Sequence, residues 1–217
     1  MVLDTQRTTI DPYLTRLAQP FTNLNPDLFS WLSLLFAALA GIILYYSTPT
    51  QELTNYYLFI AVLFIFLNGL FDALDGKIAK LTNKTSPRGD FLDHTIDRYA
   101  DVLILTGLTL SPWTRPSIGL LAIIGVLLTS YMGTQAQAVG QPRNYRGLLG
   151  RADRLALLIT IPLIQHITLR YPITLPYQLT IIELMLIYFA IIGNLTALQR
   201  FHHTLTWFKT NNTEKNK

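Results

Sequence analysis

Residues 28–51 read LFSWLSLLFAALAGIILYYSTPTQ, a run of 24 positions without one charged side chain. In a helix about 20 such residues cross the hydrocarbon core of a bilayer. Lipid offers the backbone no hydrogen bonds, so a helix, which satisfies its own, is the favoured spanning form. Residues 116–142 are uncharged as well. A soluble domain carries about a quarter charged residues, whereas this chain of 217 residues has 14% charged and 50% hydrophobic. The reading is an all-α integral membrane protein.

Working outward from residues 28–51 with hydropathy and helix breakers gives six transmembrane helices, at 28–46, 56–81, 89–110, 116–138, 152–169 and 177–200. Asn25-Pro26 supplies a capping residue followed by proline at the first helical position. Upstream, Asp11-Pro12 repeats that signal for a shorter segment in which Ile10, Tyr13, Leu14, Leu17 and Phe21 fall at helical spacing. This predicts an amphipathic helix lying in the membrane interface, with a disordered arm as the alternative. The organisation expected is an arm and interfacial helix over 1–24, a six-helix membrane domain over 25–203 and a basic tail over 204–217, disordered from 210 onward. The first 15 residues hold Asp4, Arg7 and Asp11 and no apolar block, so no cleavable leader is expected. The absence of cysteine removes disulfides and thiolate metal sites and says nothing of compartment.

Orientation follows from the basic residues. With six spans, both tails share a side with the 2–3 and 4–5 loops, and that side holds 15 of the 17 Lys and Arg residues, leaving Arg115 and Arg170 opposite. The positive-inside rule makes the basic side cytoplasmic. A net charge of +4 concentrated there suits anionic headgroups and phosphate-bearing substrates and needs no nucleic acid.

On the same side, residues 72–97 read DALDGKIAKLTNKTSPRGDFLDHTID. Positions 72, 75, 76, 79 and 80 share one stripe of a helix, and Asp93 and Asp97 share a face of the next. A loop near 82–87 turns the helices antiparallel, so the stripes can face each other and four carboxylates converge. Like charges in a low-dielectric site need a positive neighbour to stay ionised. Oxygen donors without cysteine favour a hard divalent cation, Mg²⁺ before Mn²⁺, and such ions suit pyrophosphate chemistry. Glycine within a helix costs about 1 kcal/mol relative to alanine, so Gly76 with Ala79 one turn on marks a groove where a flat ligand can meet the backbone. Charges at a helix end are often merely solvated; four acids at this spacing, near a membrane, point to a function.

The run resembles the signature of the CDP-alcohol phosphatidyltransferase family, D-x-x-D-G-x-x-A-R-x8-G-x3-D-x3-D, with Lys80 in place of the arginine. The resemblance implies a six-span enzyme that moves a lipid phosphoryl group from a CDP-linked lipid to a polar alcohol with release of CMP. It implies metal ligation by Asp72, Asp75 and Asp93 around two ions, with Asp97 completing the site, acting as general base, or both. Gly76 and Ala79 would line the cytidine and diphosphate groove, Gly89 would allow close approach opposite, and Lys80 would meet the donor's phosphates with the charge but not the fork of arginine. A homodimer follows from the same resemblance, and the count of basic residues puts the site on the cytoplasmic face of the cell membrane.

A second polar cluster on that side holds Thr134, Gln135, Gln137, Arg143, Arg146, Gly150, Arg151, Asp153 and Arg154. Arg151 and Arg154, three apart on one helical face, read as a phosphate clamp; Arg143 and Arg146 serve equally well as membrane anchors. The acceptor stays open among inositol phosphate, glycerol phosphate, serine and others, and the donor's chains between diacyl and isoprenoid ether. Glu183, about 10 Å into the last span, is either functional or a structural partner for another helix. His202-His203 reads as a surface pair. A prenyltransferase would resemble a longer chain with two separate Asp motifs, and a cation transporter would place its acids near the midplane.

Overall fold

The computed structural model describes residues 7–49, 56–142, 147–169, 171 and 176–215; Arg143 and Arg146 lie outside them. Its helices are α1 (Arg7–Ala18), α2 (Pro26–Tyr46), α3 (Tyr56–Leu81), α4 (Pro87–Leu110), α5 (Pro116–Ala138), α6 (Arg151–Thr168) and α7 (Ile181–Lys215), and no strand occurs among the described residues. The Asn25-Pro26 start signal acts as read, with Asn25 Oδ1 accepting the Asp27 N–H at 3.1 Å; α4 starts in the same way, Ser86 Oγ accepting the Gly89 N–H at 3.1 Å with Pro87 in the first turn.

Neighbours follow the order α3–α2–α4–α5–α7–α6 and back to α3, a closed ring of six helices. Glycines set two of its contacts. At the α2–α4 crossing Gly41 and Gly107 meet backbone to backbone, so that a β-carbon on Gly107 would overlap Gly41 itself. Small residues permit such approach between membrane helices. At the α5–α7 crossing a β-carbon on Gly193 would stand 2.8 Å from the Gly125 carbonyl carbon. Leu44, Leu58, Ile65, Ile104, Leu108, Trp113, Ile182 and Phe189 fill the space between helices.

Four helices are long and apolar enough to cross a membrane: Pro26–Tyr46, Tyr56–Leu81, Pro116–Ala138 and the Ile181–Thr210 part of α7. The expected third and fifth spans form as helices α4 and α6 but fall outside that class, because α4 carries Asp90, Asp93, Asp97, Arg98 and Asp101 and α6 opens on Arg151, Asp153 and Arg154. The predicted hairpin also differs in detail. Helices α3 and α4 make little direct contact; α2 packs between them.

Three boundaries differ from expectation. Helix α1 begins at Arg7, with Pro12 inside it and not at its start; a proline this near a helix end forfeits one backbone bond. Leu14 packs with Ala18 against Leu74 and Ile78 of α3, while Ile10, Tyr13 and Leu17 stay exposed. Helix α7 begins at Ile181, not 177, because Tyr177 and Gln178 take positive φ values of 58° and 56°, a left-handed conformation that a right-handed helix excludes. Glu183 therefore sits in the first turn of α7, at the end of the ring away from the Asp motif. Helix α7 then continues to Lys215 through His202 and His203 and through most of the segment expected to be a disordered tail. From Ile181 to Lys215 the sequence has no proline, and its one glycine, Gly193, packs against α5; nothing stops the helix.

Candidate active site

One end of the ring gathers the motif. The carboxylates of Asp72 and Asp75 from α3 and Asp93 from α4 lie within 4.8 Å of one another, and Asp93, His94 and Asp97 form a second group under the same limit. Asp93 belongs to both. Ser30 of α2 donates its hydroxyl proton to Asp75 Oδ2 and fixes that buried carboxylate from the side. Arg151, the first residue of α6, reaches across the ring with one nitrogen at Asp72 Oδ2 and the other at Asp97 Oδ1. Arg98 Nη2 lies 3.3 Å from Asp97 Oδ2.

Two guanidiniums thus stand among four carboxylates, and the balance is negative. Asp72 Oδ1 is buried with no hydrogen-bond partner among the described residues. Buried polar atoms are rarely left unpaired, and charged oxygens more rarely still. Converging oxygens, residual negative charge and an orphaned carboxylate oxygen fit a hard divalent cation.

The groove residues stand beside this centre. A β-carbon on Gly76 would meet no atom within 4 Å, so the surface there is open. Ala79 is half-buried and Lys80 exposed at the end of α3. Gly89 has only its own cap nearby, Ser86 Oγ at 3.4 Å from a built β-carbon, so no helix approaches it closely. Next to Gly76, Lys77 Nζ donates to both carboxylate oxygens of Asp11, at 2.8 and 2.7 Å, and ties α1 to the rim.

The arginines expected to form a clamp are both turned into the ring. Arg151 bridges Asp72 and Asp97, while Arg154, 3% exposed, gives Nη2 to Asp101 Oδ2 at 2.7 Å. Asp153 instead accepts the Gly150 N–H at 3.1 Å and caps α6. Gln135 and Gln137 are exposed, and Thr134 bonds back to Tyr131 O at 3.0 Å. Sequence reasoning missed Ser30, Arg98 and Asp101. Asp101 had a legible signal, since Asp93, Asp97 and Asp101 repeat every four residues on one helical face; Ser30, inside an apolar run, had none.

The fold and site define a helical membrane protein with an acidic, cation-suited centre at one end of a six-helix ring. The sequence model of CDP-alcohol phosphatidyltransferase matches residues 23–208. The chain belongs to the CDP-alcohol phosphatidyltransferase family, a family of phosphotransferases. It is 34% identical over 99 residues to the archaetidylinositol phosphate synthase of Pyrococcus horikoshii, covering 46% of this chain and 53% of that protein, about half its length. To the archaetidylinositol phosphate synthase of Aeropyrum pernix it is 29% identical over 153 residues, 70% and 71% of the two chains. To the phosphatidylinositol phosphate synthase of Cutibacterium acnes it is 29% identical over 187 residues, 82% and 84%. The crystal structure of Mycobacterium tuberculosis phosphatidylinositol phosphate synthase with CDP-DAG bound shares the fold at a TM-score of 0.69 and 23% identity, over 89% of this chain and 94% of that one. The same enzyme in complex with manganese and citrate also superposes at 0.69 and 23% identity, over 89% of each chain.

Proposed function

We propose that this protein transfers the lipid phosphoryl group of a CDP-linked lipid to the hydroxyl of an inositol phosphate and releases CMP. The observation that carries the reading is the convergence of Asp72, Asp75 and Asp93 within 4.8 Å, with Asp97 beside them, at the open surface of Gly76. The names of the Pyrococcus, Aeropyrum and Cutibacterium relatives support inositol phosphate over glycerol phosphate or serine as acceptor. Asp72, Asp75, Asp93 and Asp97 would hold two divalent cations, Mg²⁺ or Mn²⁺, a reading supported by the manganese complex of the Mycobacterium tuberculosis enzyme. Such ions, when bound, neutralise a diphosphate and stabilise a departing phosphate.

The chain's own residues do the rest. Asp97 accepts the proton of the acceptor hydroxyl, whose oxygen forms a bond to the lipid-side phosphorus as the bond to CMP breaks. Gly76 and Ala79 leave room for the cytidine diphosphate against the backbone of α3, and Lys80 meets its phosphates as a point charge. Gly89 leaves the facing surface open. Arg151 stands within the acid cluster, placed to meet the acceptor's phosphate beside Asp97, with Arg154 behind it. Orientation and charge placement supply most of the acceleration.

In the same proposal all six ring helices cross the membrane, with α4 and α6 turning their charges into the ring and α1 lying in the interface by its exposed Ile10, Tyr13 and Leu17. The acid end and both termini face the cytoplasm, and the protein works as a homodimer. The test is CMP release by purified protein given CDP-lipids of diacyl and isoprenoid-ether type, Mg²⁺ and a panel of alcohols. Release that depends on inositol phosphate supports the reading. Release with another alcohol corrects the acceptor, and silence with every donor and acceptor overturns the proposal.

A further inference from the structure

Arg154, the most buried charged residue near the site, and its partner Asp101 take no step in the proposed reaction. Asp101 lies one turn beyond Asp97 on α4, its side chain 12% exposed, and accepts Arg154 Nη2 at 2.7 Å. Arg98 Nε stands 3.8 Å from the same oxygen, Asp101 Oδ2, while the other end of its guanidinium meets Asp97. Arg154 is 3% exposed, and an arginine so buried requires a charged partner. It sits three residues after Arg151, on the same face of α6.

Helix α6 packs on α3 and α7, not on α4. The reach from α6 to Asp97 is therefore made by side chains across the ring, and long side chains hold a geometry only when their surroundings do. Of the two arginines on that face, Arg154 is the buried one; Arg151 retains 30% side-chain exposure. The Arg154–Asp101 pair is thus the inner anchor. It sets the rotation of α6 about its own axis, which aims Arg151 at Asp72 and Asp97. On the α4 side, Asp101 and Asp97 share Arg98, so the same carboxylate steadies the base from below.

We propose that Asp101 is a positioning residue for the transfer reaction: through Arg154 and Arg98 it holds Arg151 and Asp97 in register without touching substrate. The inference rests on the proposed function for its kinetic consequence, though not for its geometry. The experiment compares the intact purified protein with Asp101→Asn, Arg151→Met and the double variant, reading CMP release and, separately, Mn²⁺ affinity by electron paramagnetic resonance. Asp101→Asn is expected to lower kcat roughly 10- to 100-fold, the usual effect of losing a residue that orients a site, while KM for the CDP-lipid changes less than about threefold.

Mn²⁺ affinity gives the arm that is independent of turnover. Arg151→Met removes a cation from Asp72 and Asp97 and shifts Mn²⁺ affinity in the otherwise unaltered protein; in the Asp101→Asn background that shift shrinks to less than half on a logarithmic scale, because Arg151 is already misplaced. An undiminished shift overturns the proposal. If Asp101→Asn fails to fold, Asp101→Leu with Arg154→Leu removes the buried charges as a pair, which folded proteins tolerate, and the Arg151→Met shift is read in that background with the same two outcomes. Absence of CMP release by the unaltered protein would sink the proposed function alone, since the Mn²⁺ comparison still decides the role of Asp101.

Discussion

The two ends of the ring are both polar and both join carboxylates to arginines, yet they are built on opposite principles. At the end away from the motif polar groups pair from helix to helix. Trp113 Nε1 donates to Ser47 Oγ at 2.7 Å, and Ser47 Oγ donates to Leu44 O at 2.6 Å. Thr180 Oγ1 donates to Trp113 O at 2.7 Å, and Gln165 Oε1 accepts the N–H groups of Ile181 and Ile182. Glu183 accepts from the backbone N–H and the side chain of Arg115, which raises the Arg115 guanidinium above its ordinary pKa through that hydrogen bond and charge. The motif end instead crowds four acids around two arginines and leaves Asp72 Oδ1 unpaired. Polar groups that pair across helices close a bundle. A carboxylate oxygen left unpaired among further acids suits a cationic ligand.

The contrast can be broken most sharply at Asp97. Asp97→Asn is expected to lower CMP release by about 100-fold or more, the scale of losing a general base, with little change in thermal unfolding in detergent. An active Asp97→Asn protein would remove the base assignment. Chelation comes next: EDTA should abolish CMP release and Mn²⁺ restore it, with the helical circular dichroism unchanged throughout. Loss of helix on chelation would mean that the acid end is structural like its opposite.

At the closed end the signs reverse. Trp113 is 1% exposed, and Trp113→Ala should cost about 3–5 kcal/mol of stability by the usual large-to-small penalty. CMP release per folded molecule should stay within about twofold. Gly107→Ala lies toward the closed end, three residues before the end of α4, yet should affect both ends. Its methyl group would strike the Gly41 backbone, at about 1–3 kcal/mol for an overpacked contact, and would move α2, with Ser30, away from α4. Ser30→Ala is the mildest change: Asp75 loses one donor, and Mn²⁺ affinity measured by titration should fall roughly tenfold with unfolding unaffected.

The motif was legible because chemistry and periodicity coincide in it. Asp72, Asp75 and Gly76 share a stripe whatever their helix packs against, and Ser86-Pro87 starts α4 by local bonding alone. The gathering of Asp72, Asp75 and Asp93 could therefore be expected from residues 72–97 without knowledge of the rest. The role of Arg151 could not. At the start of the expected fifth span it reads, with Arg154, as a phosphate clamp; in the ring it is the cation that bridges Asp72 and Asp97. Ser30 was hidden for the same reason, since a serine in an apolar run acquires meaning only from the helix opposite; Asp101 continued the four-residue spacing of Asp93 and Asp97, but its partner Arg154 came from another helix. Glu183 was misplaced by a boundary: positive φ at Tyr177 and Gln178 is a matter of how the chain enters α7, and hydropathy is blind to it.

By itself the sequence determined the class of fold, the helices of the ring to within a few residues except for the far end of α7, and the acids of the centre. Those follow from local rules of burial, capping and side-chain spacing. The tertiary structure decided the ring order, the insertion of α2 between α3 and α4, the turning of Arg151 and Arg154 into the interior and the cross-helix pairing at the far end. Each of these depends on which backbones can approach, as Gly41 and Gly107 allow, and on where a long charged side chain finds its counter-charge. Both are properties of residues distant in the chain, and no local pattern encodes them.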